Sequence, residues 1–136
     1  MKNKLTRFVE NDKFASLIGI ELVKVQPGYA VAKMDISEKH LNGIDIIQGG
    51  AIFTLADLAF AAASNSCGQV TVGINASISY FQASKGKTLI AEAKEVAVSQ
   101  KISNYNVDVF NENKDYIAQL SITGYKKNPK NSGNIM

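Results

Sequence analysis

The sequence predicts an α+β domain in which one six-stranded antiparallel sheet wraps around a single long helix. Three observations carry that expectation. The run Ala51–Ala63 holds only Thr54 and Asp57 as polar members, is rich in alanine and contains no proline, which is the composition of a buried helix. The stretches after it alternate apolar and polar residues, as half-buried strands do. The connections between those stretches are short, at Ser84–Lys87, Ser99–Lys101 and Asn111–Asp115, so neighbouring strands are expected to pair antiparallel. A helix apolar round most of its circumference needs a sheet curved about it. The pattern does not fix the strand order.

The elements follow in order. Leu5, Phe8, Val9, Asp12, Phe14, Leu17 and Ile18 recur at roughly helical spacing, which predicts an amphipathic first helix over residues 4–17, ended by Gly19. Ile20–Val25 and Tyr29–Ile36 read as a hairpin turning at Pro27-Gly28. Residues 37–48 show neither period and read as a loop. Gly49-Gly50 opens the long helix, and Gly68 stands where it would stop. In the next strand Val72, Ile74, Ala76, Ile78 and Tyr80 share one face. Leu89, Ala91 and Ala93 repeat the alternation, which slips by one near Lys94–Val96, as a β-bulge would make it. Tyr105, Val107 and Val109 mark a further strand, and Tyr116, Ala118, Leu120, Ile122 and Gly124 the last. The domain is expected over residues 1–127, with the polar, Pro- and Gly-containing residues 128–136 as a disordered tail.

The chain has 136 residues, of which 46% are hydrophobic and 20% charged, the balance of a single globular domain. Its net charge is +3, and Lys2, Lys4, Lys126, Lys127 and Lys130 all lie in the two ends. No concentrated basic footprint for nucleic acid results. One cysteine and one histidine exclude a disulfide framework and a Cys/His metal cluster. Charges occupy the N-terminus where a signal peptide needs an apolar stretch, and Ala51–Ala63 is too short to span a bilayer. The expectation is a cytoplasmic protein with no membrane partner.

Asp57 is the outstanding residue. A carboxylate within an apolar helix costs desolvation, and Phe53, Thr54, Phe60 and Ala61 supply no cation at helical spacing. Two roles are open: a structural acid bonded to backbone or to a tyrosine, or a functional acid, which the clustering of costly acids at active sites favours. Gly49 and Gly50 sit where a helix presents unpaired N–H donors and the positive end of its dipole, suited to a developing oxyanion. A pair of glycines is also common in plain turns. Gly49 and Asp57 are eight residues apart, roughly 12 Å along a helix axis and about 80° in azimuth. Either one of them alone is catalytic, or the site is composite, with one residue from each of two chains. Asn42 is a candidate for orienting water or a carbonyl, with a simple turn role as the alternative. His40 has no acid or nucleophile partner in sequence. Cys67, near the negative end of the helix dipole, reads as a packing residue. Lys85, Lys87, Lys126 and Lys127 lie at strand ends, where they are either solvated charges or phosphate contacts.

The stretch HLN…QGGAIFTLADLAFAAASNS, followed by SYFQASKGKTLIAEA, resembles the hotdog-fold acyl-CoA thioesterases, in particular the phenylacetic-acid-degradation (PaaI-like) group. The resemblance covers about residues 14–127 and rests on the combination Asn-x6-Gly-Gly-x6-Asp. It implies a hotdog fold and hydrolysis of aryl-acyl or medium-chain acyl-CoA. Coenzyme A enters as part of the substrate, with no further cofactor and no metal. It also implies a homodimer or dimer of dimers whose sites lie between subunits. By this resemblance the Gly49 amide binds the thioester carbonyl, Asp57 acts as base or nucleophile, and Asn42 holds water or substrate. Gln48, Gly50, Ser64, Asn65, Gly73, Asn75, Lys85 and Lys87 are the candidates for lining the substrate site. Gln48 stands where the family usually has His, and Ser84 and Lys87 where it commonly has Pro and Asp. The His-to-Gln change motivates an alternative, a non-catalytic acyl-CoA-binding hotdog protein. A hotdog hydratase or dehydratase would need a His paired with an acid, and His40 is badly placed for it.

Overall fold

The computed structural model describes residues 7, 9–83 and 86–127. The tail expected over residues 128–136, the first residues of the expected N-terminal helix, and Lys85 lie outside the described residues. Among those described, the order is α1 (Lys13–Leu17), β1 (Ile20–Gln26), β2 (Tyr29–Asp35), a 3-10 turn (Glu38–His40), α2 (Gly49–Ser64), β3 (Thr71–Tyr80), β4 (Thr88–Val98), β5 (Ile102–Asn111) and β6 (Tyr116–Lys126). The expected first helix is broken at Asp12, which caps α1 by accepting from the Ala15 N–H at 3.0 Å. An aspartate is worth more as an N-cap than inside a helix, so a preceding helical turn ends at Asn11 and α1 starts afresh.

The six strands form one antiparallel sheet in the order β1-β2-β4-β5-β6-β3. The β1–β2 hairpin turns at Pro27-Gly28, where Gly28 has φ +70, the backbone that Pro-Gly favours in a type II turn. The bulge expected near Lys94–Val96 is present, as a register shift between Glu95 and Ala97 in the β4–β5 pairing. One expectation is corrected. β3 and β4 are joined by only residues 81–87, yet they are not neighbours: β3 pairs with β6 at the far edge. Seven residues reach about 25 Å, more than the roughly 14 Å across three strand spacings, so a short connection does not force pairing.

A second correction lies within β3. Register shifts between Gly73 and Asn75, so the face that meets α2 carries Thr71 and Gly73 first and Ala76, Ile78 and Tyr80 afterwards. Val72 and Ile74 leave that face, and Ile74 is exposed. The core is α2 against the concave side of the sheet, packed most closely on β2 and β4. There the inward residues are Ala30, Ala32, Ala91 and Ala93, all fully buried, as are Ala56, Ala59 and Ala63 on the helix. Larger side chains fill the flanks, with Phe60 edge-on to Tyr105 at 5.5 Å. The helix is not covered all round, as its composition suggested: Gly50 and Asp57 are exposed and Phe53, Thr54 and Ala61 half-buried, giving one outward stripe. Among the described residues no helix is long and apolar enough to cross a membrane.

Candidate active site

The site begins where the loop hands the chain to α2. Gln48 is the N-cap, with φ −67 and ψ 135 and no side-chain capping bond. Its carbonyl accepts from both Ala51 N–H (3.0 Å) and Ile52 N–H (3.4 Å). The N–H groups of Gly49 and Gly50 therefore have no acceptor among the described residues, as the geometry of a first helical turn dictates. Gln48 is itself pinned by its N–H to the His40 carbonyl at 2.8 Å, and a Leu41–Ile47 bridge closes the loop between them. Inside that loop Asn42 Oδ1 accepts from Ile44 N–H (2.9 Å) and Ile46 N–H (3.2 Å). The oxygen is thus a turn former, and the Nδ2 group is left for other partners.

Gly49 opens onto a cleft of about 360 Å³ whose walls include Asn42, Ile46, Ile52, Tyr80 and Phe81. It is apolar apart from the amides and the Tyr80 hydroxyl, the make-up of a small-molecule site. Tyr80 reaches across to donate to the Gly49 carbonyl at 3.1 Å. A Cβ on residue 49 would lie 2.9 Å from the Tyr80 hydroxyl and 3.0 Å from its Cζ, so glycine here lets the phenol come this close.

Asp57 stands on the same unbroken helix, on its outward stripe. Partial burial against the helix surroundings holds its carboxyl above the ordinary carboxylate value, and the negative charge of Asp12 adds to the shift. The tip meets solvent on the single chain, while the protein behind it thins its hydration; a carboxylate so placed is a better base near neutral pH than a free one. Eight residues of straight helix put it roughly 12 Å from Gly49 along the axis. Among the described residues no three His, Cys, Asp or Glu side chains group in a way that could hold a metal ion.

The family model of the thioesterase superfamily matches residues 45–118, more than half of the chain and the span that holds Gly49, Asp57 and Tyr80. The chain belongs to the thioesterase superfamily. Over 120 residues it is 41% identical to a putative esterase of Archaeoglobus fulgidus, covering 88% of this chain and 78% of the relative. It is 33% identical over 110 residues to the acyl-coenzyme A thioesterase PaaI of Escherichia coli, covering 80% and 79%. The structure of E. coli PaaI superposes with a TM-score of 0.85 over 90% of this chain and 89% of that one, at 28% identity. A Streptococcus mutans protein solved bound to acetyl CoA gives a TM-score of 0.76 at 26% identity, over 80% and 89%. These likenesses place the chain in the PaaI-like hotdog group, as its motif indicated.

In this thioesterase the remaining candidates divide. Gln48 and Gly50 border a second cleft, of about 310 Å³, with Lys39, His40 and Thr54; a Cβ on residue 50 would lie 2.5 Å from Gln48 Oε1, so the Gln48 amide folds over that glycine. His40 is buried, with Nε2 against the Ile18 carbonyl at 2.6 Å and Nδ1 accepting from Ser37 N–H at 2.9 Å. That network assigns a neutral ring protonated on Nε2, and both nitrogens are spent on structure. Ser64 and Asn65 sit at the other end of α2, away from Gly49. Asn65 Nδ2 donates to the carbonyls of Ala61 (2.8 Å) and Thr71 (3.1 Å), and its Oδ1 accepts from Thr71 N–H (2.9 Å). Gly73 is an inward position where a Cβ would meet Phe60 at 3.3 Å, and Asn75 is exposed beyond the bulge. Lys87 is exposed, its N–H held by the Glu112 carboxylate at 2.8 Å. Cys67, expected to pack, is exposed instead, because the helix ends at Ser64 and the turn that follows carries it outward.

Sequence reasoning missed Tyr80, Phe81 and Ile46 as walls of the cleft. The alternation puts Tyr80 on one face with Ile78 without saying what that face meets; α2 does not cover that end of β3, so the ring is 49% exposed. The available signal was its hydroxyl, a polar tip on an inward position that needs a partner.

Proposed function

We propose that this thioesterase hydrolyses acyl-CoA thioesters, aryl-acyl or medium-chain, to the free acid and coenzyme A. The observation that carries the reading is the unpaired Gly49 N–H opening into an apolar cleft, on the helix whose one carboxylate is Asp57. The thioester carbonyl accepts from the Gly49 N–H, and the helix dipole stabilises the oxyanion as it forms. Asp57 of the partner subunit takes a proton from the attacking water; as the tetrahedral intermediate collapses, the C–S bond breaks and the proton passes to the leaving thiolate. In the covalent variant the carboxylate attacks the carbonyl itself and water then cleaves the mixed anhydride. Asn42 Nδ2 holds the water or the acyl carbonyl. Coenzyme A enters as part of the substrate, and the reading calls on no metal or other cofactor.

The homo-oligomer this needs is supported by β3. It pairs with β6 on one side alone and leaves a ten-residue edge, an arrangement that proteins cover rather than expose. Two copies of β3 paired about a two-fold axis would remove both edges and create two composite sites. Lys85 and Lys87, in the connection that leaves the cleft wall at Phe81, are the cations for the coenzyme A phosphates. The E. coli thioesterase PaaI and the acetyl CoA-bound Streptococcus protein support the choice of substrate. Release of free thiol from a panel of aryl- and straight-chain acyl-CoAs is the test. Turnover is expected, falling by about 10²–10⁴ in Asp57→Asn and strongly in Gly49→Val. Tight acyl-CoA binding without turnover by the wild type would overturn the catalytic reading.

A further inference from the structure

Tyr80 belongs to no part of the mechanism above, yet it makes two contacts with the residue on which that mechanism depends. Its hydroxyl donates to the Gly49 carbonyl at 3.1 Å, and its ring edge lies 3.3 Å from the place a Cβ on Gly49 would occupy. A glycine at the start of a helix has no side chain to hold its peptide planes and, at N1, no intrahelical bond to its own N–H. The Gln48–Gly49 peptide that carries this N–H is held at its carbonyl by the Ala51 and Ile52 N–H groups; on the other side of Cα, contacts to the Gly49 carbonyl and packing against Cα hold the Gly49–Gly50 peptide.

We propose that Tyr80 is the positioning residue of the oxyanion donor: its hydroxyl holds the Gly49–Gly50 peptide through the Gly49 carbonyl and its ring closes off the Gly49 Cα, so that the first helical turn, and the Gly49 N–H with it, keeps its place beside the cleft. The inference rests on the reading of Gly49 given above. Preorganised donors accelerate a reaction because they need not reorganise as charge develops, so the loss of this clamp should appear in kcat rather than in KM. The geometry also couples position 49 to the phenol. A methyl there would displace the phenol, 2.9 Å away, and break the bond that the phenol makes.

The test is a double-mutant cycle of Tyr80→Phe and Gly49→Ala with acyl-CoA turnover, read beside the amide spectrum of the labelled protein. Tyr80→Phe keeps the ring and removes the bond, and kcat is expected to fall by about three- to tenfold, the rate equivalent of one neutral hydrogen bond, with KM unchanged. Gly49→Ala should lose a similar factor and the double variant no more, since each change breaks the same bond. The Gly49 carbonyl and the Gly50 N–H belong to one peptide group, so the Gly50 amide proton should move upfield in Tyr80→Phe. A wild-type kcat in Tyr80→Phe, multiplicative losses in the cycle, or an unmoved Gly50 signal overturns the inference. Full activity in Gly49→Val overturns instead the reading on which it rests.

Discussion

The Gly49 N–H and the Asp57 carboxyl ride on one uninterrupted helix, Gly49–Ser64, roughly 12 Å apart along its axis. Gly49 lines the cleft beside Tyr80, and Asp57 stands on the outward stripe. No side-chain rotation brings both to one carbonyl carbon within a single chain. If both serve one thioester, each site takes its donor from one subunit and its acid from the other.

That arrangement predicts complementation. Gly49→Val and Asp57→Asn homodimers should each be nearly inactive, and mixing them under subunit exchange should restore activity. Random exchange makes about half the dimers mixed, and each has one intact site of two, so recovery should approach roughly a quarter of wild type. Mass-tagged subunits report the exchange independently. Exchange without recovered turnover would show that the two residues do not share a site.

The charge of Asp12 gives the second prediction. It raises the Asp57 carboxyl, in addition to the larger effect of burial, so the base form of Asp57 is reached only at a pH above the ordinary carboxylate range. Activity should rise with pH along a limb displaced upward. Asp12→Asn keeps the cap on Ala15, because asparagine caps as well as aspartate, but it removes the negative charge. The acid limb of kcat/KM should then move to lower pH, part of the way toward the ordinary carboxylate value. A pH profile superimposable on wild type in the folded variant would show that the charge of Asp12 does not act on the titrating group.

Packing at Gly124 gives the third. A Cβ there would lie 2.7 Å from Thr71 Cγ2 and 3.0 Å from Phe60 Cζ, with Phe60 already locked edge-on against Tyr105. Gly124→Ala should cost about 1–3 kcal/mol, as overpacking does, seen as a lower denaturant midpoint with the slope unchanged. An equal or higher midpoint would mean that Thr71 and Phe60 can yield.

How much of this was legible in the sequence depends on what each signal was local to. The helix start at Gly49-Gly50, the turn at Pro27-Gly28 and the slip near Glu95 were readable because each is set within a few residues by backbone chemistry. The order of the strands was not, since it depends on which edges meet in space: residues 81–87 are few, yet long enough to bypass two strands. Helix composition misled in the same way. Thirteen nearly apolar residues implied burial on nearly all sides, whereas one stripe, with Gly50 and Asp57 exposed, is left open on the single chain. Asp57 was identifiable as an unusual residue type and Asn42 only through the family motif, but the aromatic wall at Tyr80 and Phe81 was invisible, because strand alternation does not say where the helix stops covering the sheet.

Asn65 separates packing from catalysis most cleanly. Its side chain is buried and spans from the last turn of α2 to the first residue of β3, donating to the carbonyls of Ala61 and Thr71 and accepting from Thr71 N–H. Asn65→Ala therefore removes a buried partner of the Thr71 N–H, at a cost of about 1–3 kcal/mol, and loosens the joint between helix and edge strand. The expected outcome is a lower melting temperature with kcat and KM for acyl-CoA unchanged where the variant is folded, because the joint lies at the opposite end of the helix from Gly49. A raised KM at an unaltered melting temperature would place Asn65 in the acyl pocket after all, and would mean that the substrate runs the length of the helix rather than stopping at the cleft beside Tyr80.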